Sequence, residues 1–355
     1  MAKKETKQER RGLIGNLLHR WFIDAFSAMA LGVFATLLIG TILGQLGVWT
    51  KWGVLSTLGT YAKNGFVVGA GIGVAVAYGL KAKALVIFSA AVCGAIGYQE
   101  GGGPVGAYAA ALVGSELANL IAGRTPFDIL LVPSVSLITG GMTGIFVGPY
   151  IQRFCSWIGY ELGVAMGLHP ILMGMIVAVV MGLALTAPIS SAAIAVAVFS
   201  ADLYDGNSAI ALAAGAATVG CCCQMVGFAV SSWRENGFSG FLAQGLGTSM
   251  LQISNIVKHP QILLPPTLTA LILGPLSTTV LSVENASGVF AGMGTCGLVG
   301  PAGMWTYMMG SGFDWFVCLK IVLLCFVLPA IVSLILSEGM RAAGWIREGD
   351  MKLNL

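Results

Sequence analysis

Glu100, Glu116, Glu235 and Glu284 stand within or beside long apolar runs, in a chain where charged residues are only 9% of 355. A carboxylate in hydrocarbon costs about 2.5–3.5 kcal/mol or more. Each must therefore line a cavity, find a partner or lie at an interface. An ionised carboxylate only accepts hydrogen bonds, and it can hold two hydroxyls at once. This chemistry holds a hydroxyl-bearing solute and breaks no bond.

Glu100 has the most telling context. It lies in GYQEGGGPVGAY, Gly97 to Tyr108. Gly101, Gly102, Gly103 and Pro104 do not continue a helix cheaply, but they can form a tight tip with backbone groups free for a ligand. The expected arrangement is a re-entrant hairpin, with Glu100, Gly101 and Gly102 at its tip and a returning helix over Val105 to Ile121. An ordinary acidic loop is the bland alternative. Glu116 and Asn119 are three residues apart and share a helix face, as solute ligands or as a helix-packing pair. Arg234 could pair with Glu235 and make it structural. Asp24, Asp128 and Glu284 complete the acidic set, and Asp128 could simply neutralise the start of its helix. Gly294, Gly297, Gly300 and Gly303 recur every three residues around Pro301, which predicts an unwound segment on a solute path through Gly300.

No Ser/His/Asp set, GxSxG, HExxH or P-loop is present, so hydrolase and transferase chemistry is not expected. GGGPVG is no phosphate loop, because no Lys-Ser/Thr follows it. The eight cysteines show no CxxC or Cys/His spacing, and neither a metal nor a cofactor is expected. Cys221-Cys222-Cys223 reads as small, polarizable packing.

The elements that must position these residues are membrane helices. So little charge cannot cover a soluble surface, and 50 glycines suit helices packed closely in lipid. The expectation is an all-α polytopic membrane protein with about 10–12 transmembrane or re-entrant segments. They run near 22–46, 62–80, 84–98, 104–123, 128–151, 170–187, 190–201, 208–232, 238–256, 261–281, 286–312 and 314–337. Three of them (84–98, 190–201 and 286–312) are too short or too rich in Gly and Pro for plain spans. Gln152 to Pro170 reads as an interfacial helix. Lys3, Lys4, Lys7, Arg10, Arg11 and Arg20 precede the first run, which places the N-terminus in the cytoplasm. No nucleic-acid motif appears.

The two halves repeat. ILLVPSVS (Ile129–Ser136) matches ILLPPTLT (Ile262–Thr269), with Gly141 against Gly274. LGVFATLLIG (Leu31–Gly40) resembles MGMIVAVVMG (Met173–Gly182), and IGVAV at 72–76 resembles IAVAV at 194–198. QEGG (99–102) resembles RENG (234–237), and Gly114-Ser115 stands where Gly247-Thr248 does. About five spans separate equivalent points, so the copies are expected to be inverted, with Glu100 and Glu235 equivalent. Matching Pro133, Pro265 and Pro266 are expected to interrupt helices and free carbonyls. The division expected is a basic N-terminus (1–21), a first repeat (22–155) and a second repeat (156–282). A broken segment with the last span (283–337) and a tail (338–355) follow.

The sequence resembles the membrane IIC components of the sugar phosphotransferase system, and more narrowly the branch named after the perfringolysin O regulator. Three stretches carry the resemblance. They are GLIGNLLHRWFIDAFSAMALGVFATLLIGTILG (Gly12–Gly44), YQEGGGPVGAYAAALVGSELANLIAGRTPFDILLVP (Tyr98–Pro133) and GMGTCGLVGPAGMW (Gly292–Trp305). It implies a homodimeric permease for a sugar-like solute in the bacterial cytoplasmic membrane. Any phosphorylation would fall to a separate IIB protein, because no Cys or His stands in a phosphoacceptor loop here. Val283-Glu284-Asn285-Ala286 is the text nearest to an Asn-Glu-Pro sugar motif. A solute sensor and a proton- or cation-coupled transporter on the same scaffold are the alternatives.

Overall fold

The computed structural model describes residues 13–165, 167–187, 189, 191–199, 208–285, 288–309 and 314–353. Lys3, Lys4, Lys7, Arg10 and Arg11, Pro188, and the ends of the 190–201 and 286–312 segments lie outside them. The described residues form helices and turns and no strand. Six helical stretches are long and apolar enough to cross a membrane. The protein is an all-α polytopic membrane protein.

The helices are α1 (Gly15–Thr50), α2 (Gly53–Ala62), α3 (Gly65–Gly79), α4 (Ala84–Gly97), α5 (Gly103–Ile121) and α6 (Asp128–Ala165). Then come α7 (Pro170–Thr186), α8 (Ser191–Val198), α9 (Ser208–Ser231), α10 (Trp233–Leu242), α11 (Ile253–Lys258), α12 (Leu264–Thr278) and α13 (Val299–Met309). The last is α14 (Trp315–Ala342). Helix starts follow local chemistry. Asn64 Oδ1 accepts the Phe66 amide at 3.0 Å to cap α3. Pro104 and Pro170 occupy first turns, where the missing N–H costs nothing.

The chain divides into two compact units. One holds residues up to Thr36 together with Asn64–Tyr150, and the other holds Leu37–Lys63 and Ile151–Leu355.

In the first unit α3, α4 and α5 pack antiparallel through small residues. A Cβ on Gly73 would lie 2.0 Å from the Ala90 carbonyl oxygen, and one on Gly97 2.2 Å from that of Gly106. The second approach shows that the apolar stretch Ala84–Ile121 folds back on itself. At its other end the Lys83 amide donates to Asn119 Oδ1 at 3.4 Å, and Lys83 Nζ donates to the Ala122 carbonyl. The chain thus forms a helical hairpin, about 21 Å along α4 at 1.5 Å per residue.

In the second unit α7 packs on α9 and α12. A Cβ on Gly220 would lie 1.9 Å from the Ala178 oxygen, and one on Gly274 2.2 Å from that of Gly174. α1 ends in a short hairpin with α2, where Gly47 lies against Ser56. Small residues (Ala211, Ala214, Ala217, Cys222) fill the interior of α9, while large apolar ones elsewhere (Phe66, Phe88, Phe146, Ile335) are exposed. Lipid as solvent explains this inversion, since burying large apolar groups gains little there and close backbone packing gains more.

Four expectations change. α2 was not expected as an element. Residues 238–256 are not one helix, because Thr248 is extended (φ −159°, ψ 143°) between a π-turn and a 3₁₀ turn. Residues 152–165 form no separate interfacial helix but continue α6, whose 38 residues span about 57 Å against a hydrocarbon core of about 30 Å. The end bearing Arg153, Trp157, Tyr160 and Glu161 suits the part outside. Pro265 and Pro266 stand in the first turn of α12 and interrupt nothing, although Pro133 does lie inside α6.

Candidate functional site

In the first unit, Glu100 and Gly101 leave helical geometry between α4 and α5 (Gly101 φ 84°), and Gly103 follows at φ 53°, ψ −146°. Only glycine adopts that second conformation readily. The tip is held from two sides. Tyr98 and Gln99 lie against Gly65 at the start of α3, and a Cβ on Gly148 of α6 would come within 2.5 Å of the Glu100 carbonyl oxygen. Gly102 is buried and the Glu100 side chain is exposed. Among the described residues no hydrogen bond or ion pair engages the Glu100 carboxylate.

Glu116 does not join it. α5 rises about 20 Å from Gly103 to Glu116. There Oε1 accepts the Trp21 indole N–H at 2.9 Å and pairs with Arg20 at 3.3 Å. Tyr108 donates to the Trp21 carbonyl at 2.8 Å and its ring stacks on Phe26 at 4.3 Å, which seats Trp21. Asn119 holds the Lys83 amide. Asp128 caps its own loop, accepting from the Thr125 amide and hydroxyl and the Gly123 amide.

In the second unit, Glu284, Asn285 and Gly300 come together. The backbone of Val283 and Glu284 crosses α9 at Gly215, whose Cβ would lie 2.0 Å from the Val283 oxygen. Asn285 is fully buried. Its amide nitrogen Nδ2 donates to Thr218 Oγ1 at 2.6 Å and to the Gly300 carbonyl at 3.4 Å. Gly294 (φ 53°), Gly297 (φ 52°) and Leu298 (φ 59°) are left-handed, so the chain is unwound before α13 begins at Val299. Thr295 donates to the Gly245 carbonyl at 2.5 Å, which joins this break to the one preceding Thr248. Glu284 is half-buried, and among the described residues its carboxylate has no partner.

Glu235 is the opposite case. Its side chain is 3% exposed and pairs with Arg341 at 3.1 Å. It also accepts the Gly349 amide at 3.1 Å and the Met351 amide at 2.9 Å. Arg234 pairs with Glu338 at 3.0 Å rather than with its neighbour.

Sequence reasoning passed over the uncharged polar groups. Thr218 holds Asn285. Gln224 accepts from Thr186 at 3.2 Å and donates to Thr267 at 3.0 Å, and Thr186 meets Ser249 at 2.8 Å. A glutamine inside an apolar span was the available signal for this network. The cysteines of α9 are buried and free, and no group of three metal-ligating side chains occurs among the described residues.

The family model for phosphotransferase system EIIC matches residues 23–353. No curated protein and no solved structure matches the chain.

Proposed function

The chain belongs to the phosphotransferase system EIIC family, and we propose that it carries a sugar or related polar solute across the membrane by alternating access. Membership makes it a membrane sugar permease component rather than an enzyme, and in general such a component works with a IIB partner. The finer reading is ours and takes each unit by itself. In the first, Glu100 accepts a solute hydroxyl beside the backbone of Gly101 and Gly102. In the second, Glu284 accepts one while Gly300, bonded to Gly294 and Asn285, holds the backbone around it. These two glutamates carry partially or fully accessible carboxylates with no partner among the described residues. Glu116, Asn119 and Glu235 are engaged by other groups, and we assign them to holding helices in place.

One observation carries the alternating-access part. Each half has a hairpin-like turn that ends in a glycine of the same rare conformation, Gly103 (φ 53°, ψ −146°) and Gly237 (φ 58°, ψ −157°). This supports a repeat, one residue out of the register that sets Glu100 against Glu235. The odd number of spans between the copies makes it an inverted one, the architecture in which two related halves alternately expose one site. We place the protein in a bacterial cytoplasmic membrane as a homodimer with its N-terminus inside, and in the perfringolysin O regulator branch.

The test is counterflow of radiolabelled hexoses, hexitols and disaccharides in proteoliposomes. Saturable flux of one of them, lost in Glu100→Gln and Glu284→Gln proteins that fold normally, is expected. Saturable binding without flux, with or without a IIB protein, would replace the permease by a solute sensor.

A further inference from the structure

The second turn, Ser232–Gly237, is gripped by the end of the same chain, and the grip is made of hydrogen bonds. Beyond α14 the chain turns at Gly344 (φ 75°) and Gly349 (φ 95°). This brings the Gly349 and Met351 amides onto Glu235, beside Arg341. Asn236 binds the tail from both of its amide atoms, donating to the Met351 carbonyl at 2.9 Å and accepting the Leu353 amide at 2.8 Å. A ladder of buried amides continues the contact. Gln244 donates to Ser232 at 2.8 Å. Gln252 donates to Gln244 and to the Met351 carbonyl, both at 2.9 Å. Asn255 donates to Gln252 at 2.7 Å and to the Lys352 carbonyl at 3.0 Å. Ile346 and Met351 plug into an apolar pocket with Phe228 and Ile262.

We propose that residues 344–353 are a latch on the second turn, and that they release it when the turn moves in the transport cycle. The inference rests on the permease reading above. Its physical basis is the kind of contact made. A tail kept only for stability needs its two apolar plugs. This one also donates two backbone amides, those of Gly349 and Met351, to the carboxylate that the repeat sets against Glu100, and water or a hydroxyl-bearing solute can take their place so that release leaves no acceptor unpaired. The Glu100 carboxylate has no such cover among the described residues. The two carboxylates are therefore unequal in the state described, one without a partner and one engaged.

The test locks the latch. Asn236→Cys and Leu353→Cys are introduced together, and counterflow of the sugar panel is compared before oxidation, after it and after reduction. At least a tenfold fall on oxidation, restored by reductant, is expected. Equal flux in the oxidised and reduced protein overturns the latch and leaves the permease reading intact. Absence of flux in the unmodified protein, both with and without a IIB protein, overturns both. Should the pair itself lower flux before oxidation, Asn255→Cys with Lys352→Cys makes the same comparison. Hydrogen exchange gives a readout apart from flux. Exchange at the Gly349, Met351 and Leu353 amides must rise when transported sugar is added to the intact protein, and unchanged exchange overturns the latch.

Discussion

Gly103 and Gly237 hold one backbone conformation, with φ within 5° and ψ within 11° of each other (53° and −146° against 58° and −157°). Both close a turn that follows an apolar helix, and both lie where a side chain is strained. A Cβ at Gly237 would meet nothing within 4 Å, so replacement there probes the backbone alone. Gly237→Ala is expected to cost about 1–3 kcal/mol. Gly339→Ala, at an equally open position inside α14 without positive φ, is expected to be neutral or to stabilise by up to about 1 kcal/mol. Thermal unfolding in detergent separates the two. Equal effects would show that the Gly237 turn stores no strain.

Glu100 and Glu116 were both candidates in the sequence and part ways in the fold. Glu100→Gln removes an exposed charge without a partner and is expected to change stability by less than about 0.5 kcal/mol. It should weaken solute binding about 5–30-fold, the difference between charged and neutral acceptors. Glu116→Gln weakens the contacts to Arg20 and Trp21 and should lower stability while the binding constant stays. Calorimetric binding beside thermal unfolding, on both variants, checks the split. Binding lost in Glu116→Gln alone would exchange their roles.

How much of this was legible follows from the range of each signal. Scarce charge and long apolar runs act locally, so the membrane class and most helix positions could be read directly. The Glu100 turn was readable for the same reason, since three glycines and a proline in succession leave few conformations. Partners far apart in sequence were not readable. Glu116 meets Arg20 and Trp21 more than ninety positions away, and Glu235 meets Arg341 more than a hundred positions away. Adjacency instead pointed to Arg234, which turns to Glu338. The break at Thr248 was hidden because Gly-Leu-Gly-Thr is apolar enough to pass as helix. Thr218 was hidden because one hydroxyl in a run of Ala, Gly and Cys looks like a packing residue.

The Glu235–Arg341 pair is almost fully withdrawn from water, with side chains 3% and 11% exposed. Breaking such a pair from one side strands a buried charge, so Arg341→Met is expected to destabilise by about 3–5 kcal/mol. Adding Glu235→Gln removes the stranded charge, and the double variant should be more stable than the sum of the single effects implies. Chemical unfolding of the three variants tests this cycle. Additive effects would mean that the Gly349 and Met351 amides alone satisfy Glu235.

Asn285 and Glu284 are adjacent in sequence and separate in consequence. Asn285 is fully buried and ties the unwound chain to α9 through Thr218 and to the start of α13 through the Gly300 carbonyl. It has no slack, since a Cβ on Gly303 would lie 2.5 Å from Asn285 Oδ1. Asn285→Ala removes a donor from buried acceptors and is expected to cost about 1–3 kcal/mol. Solute binding should weaken as well, because the Gly300 backbone loses its tether. The Glu284 carboxylate has no such duty among the described residues. Glu284→Gln should leave stability within about 0.5 kcal/mol and still lower affinity. A Glu284→Gln protein that binds solute with unchanged affinity would remove Glu284 from the proposed solute contacts. One that unfolds would show that the carboxylate braces the segment instead of meeting solute.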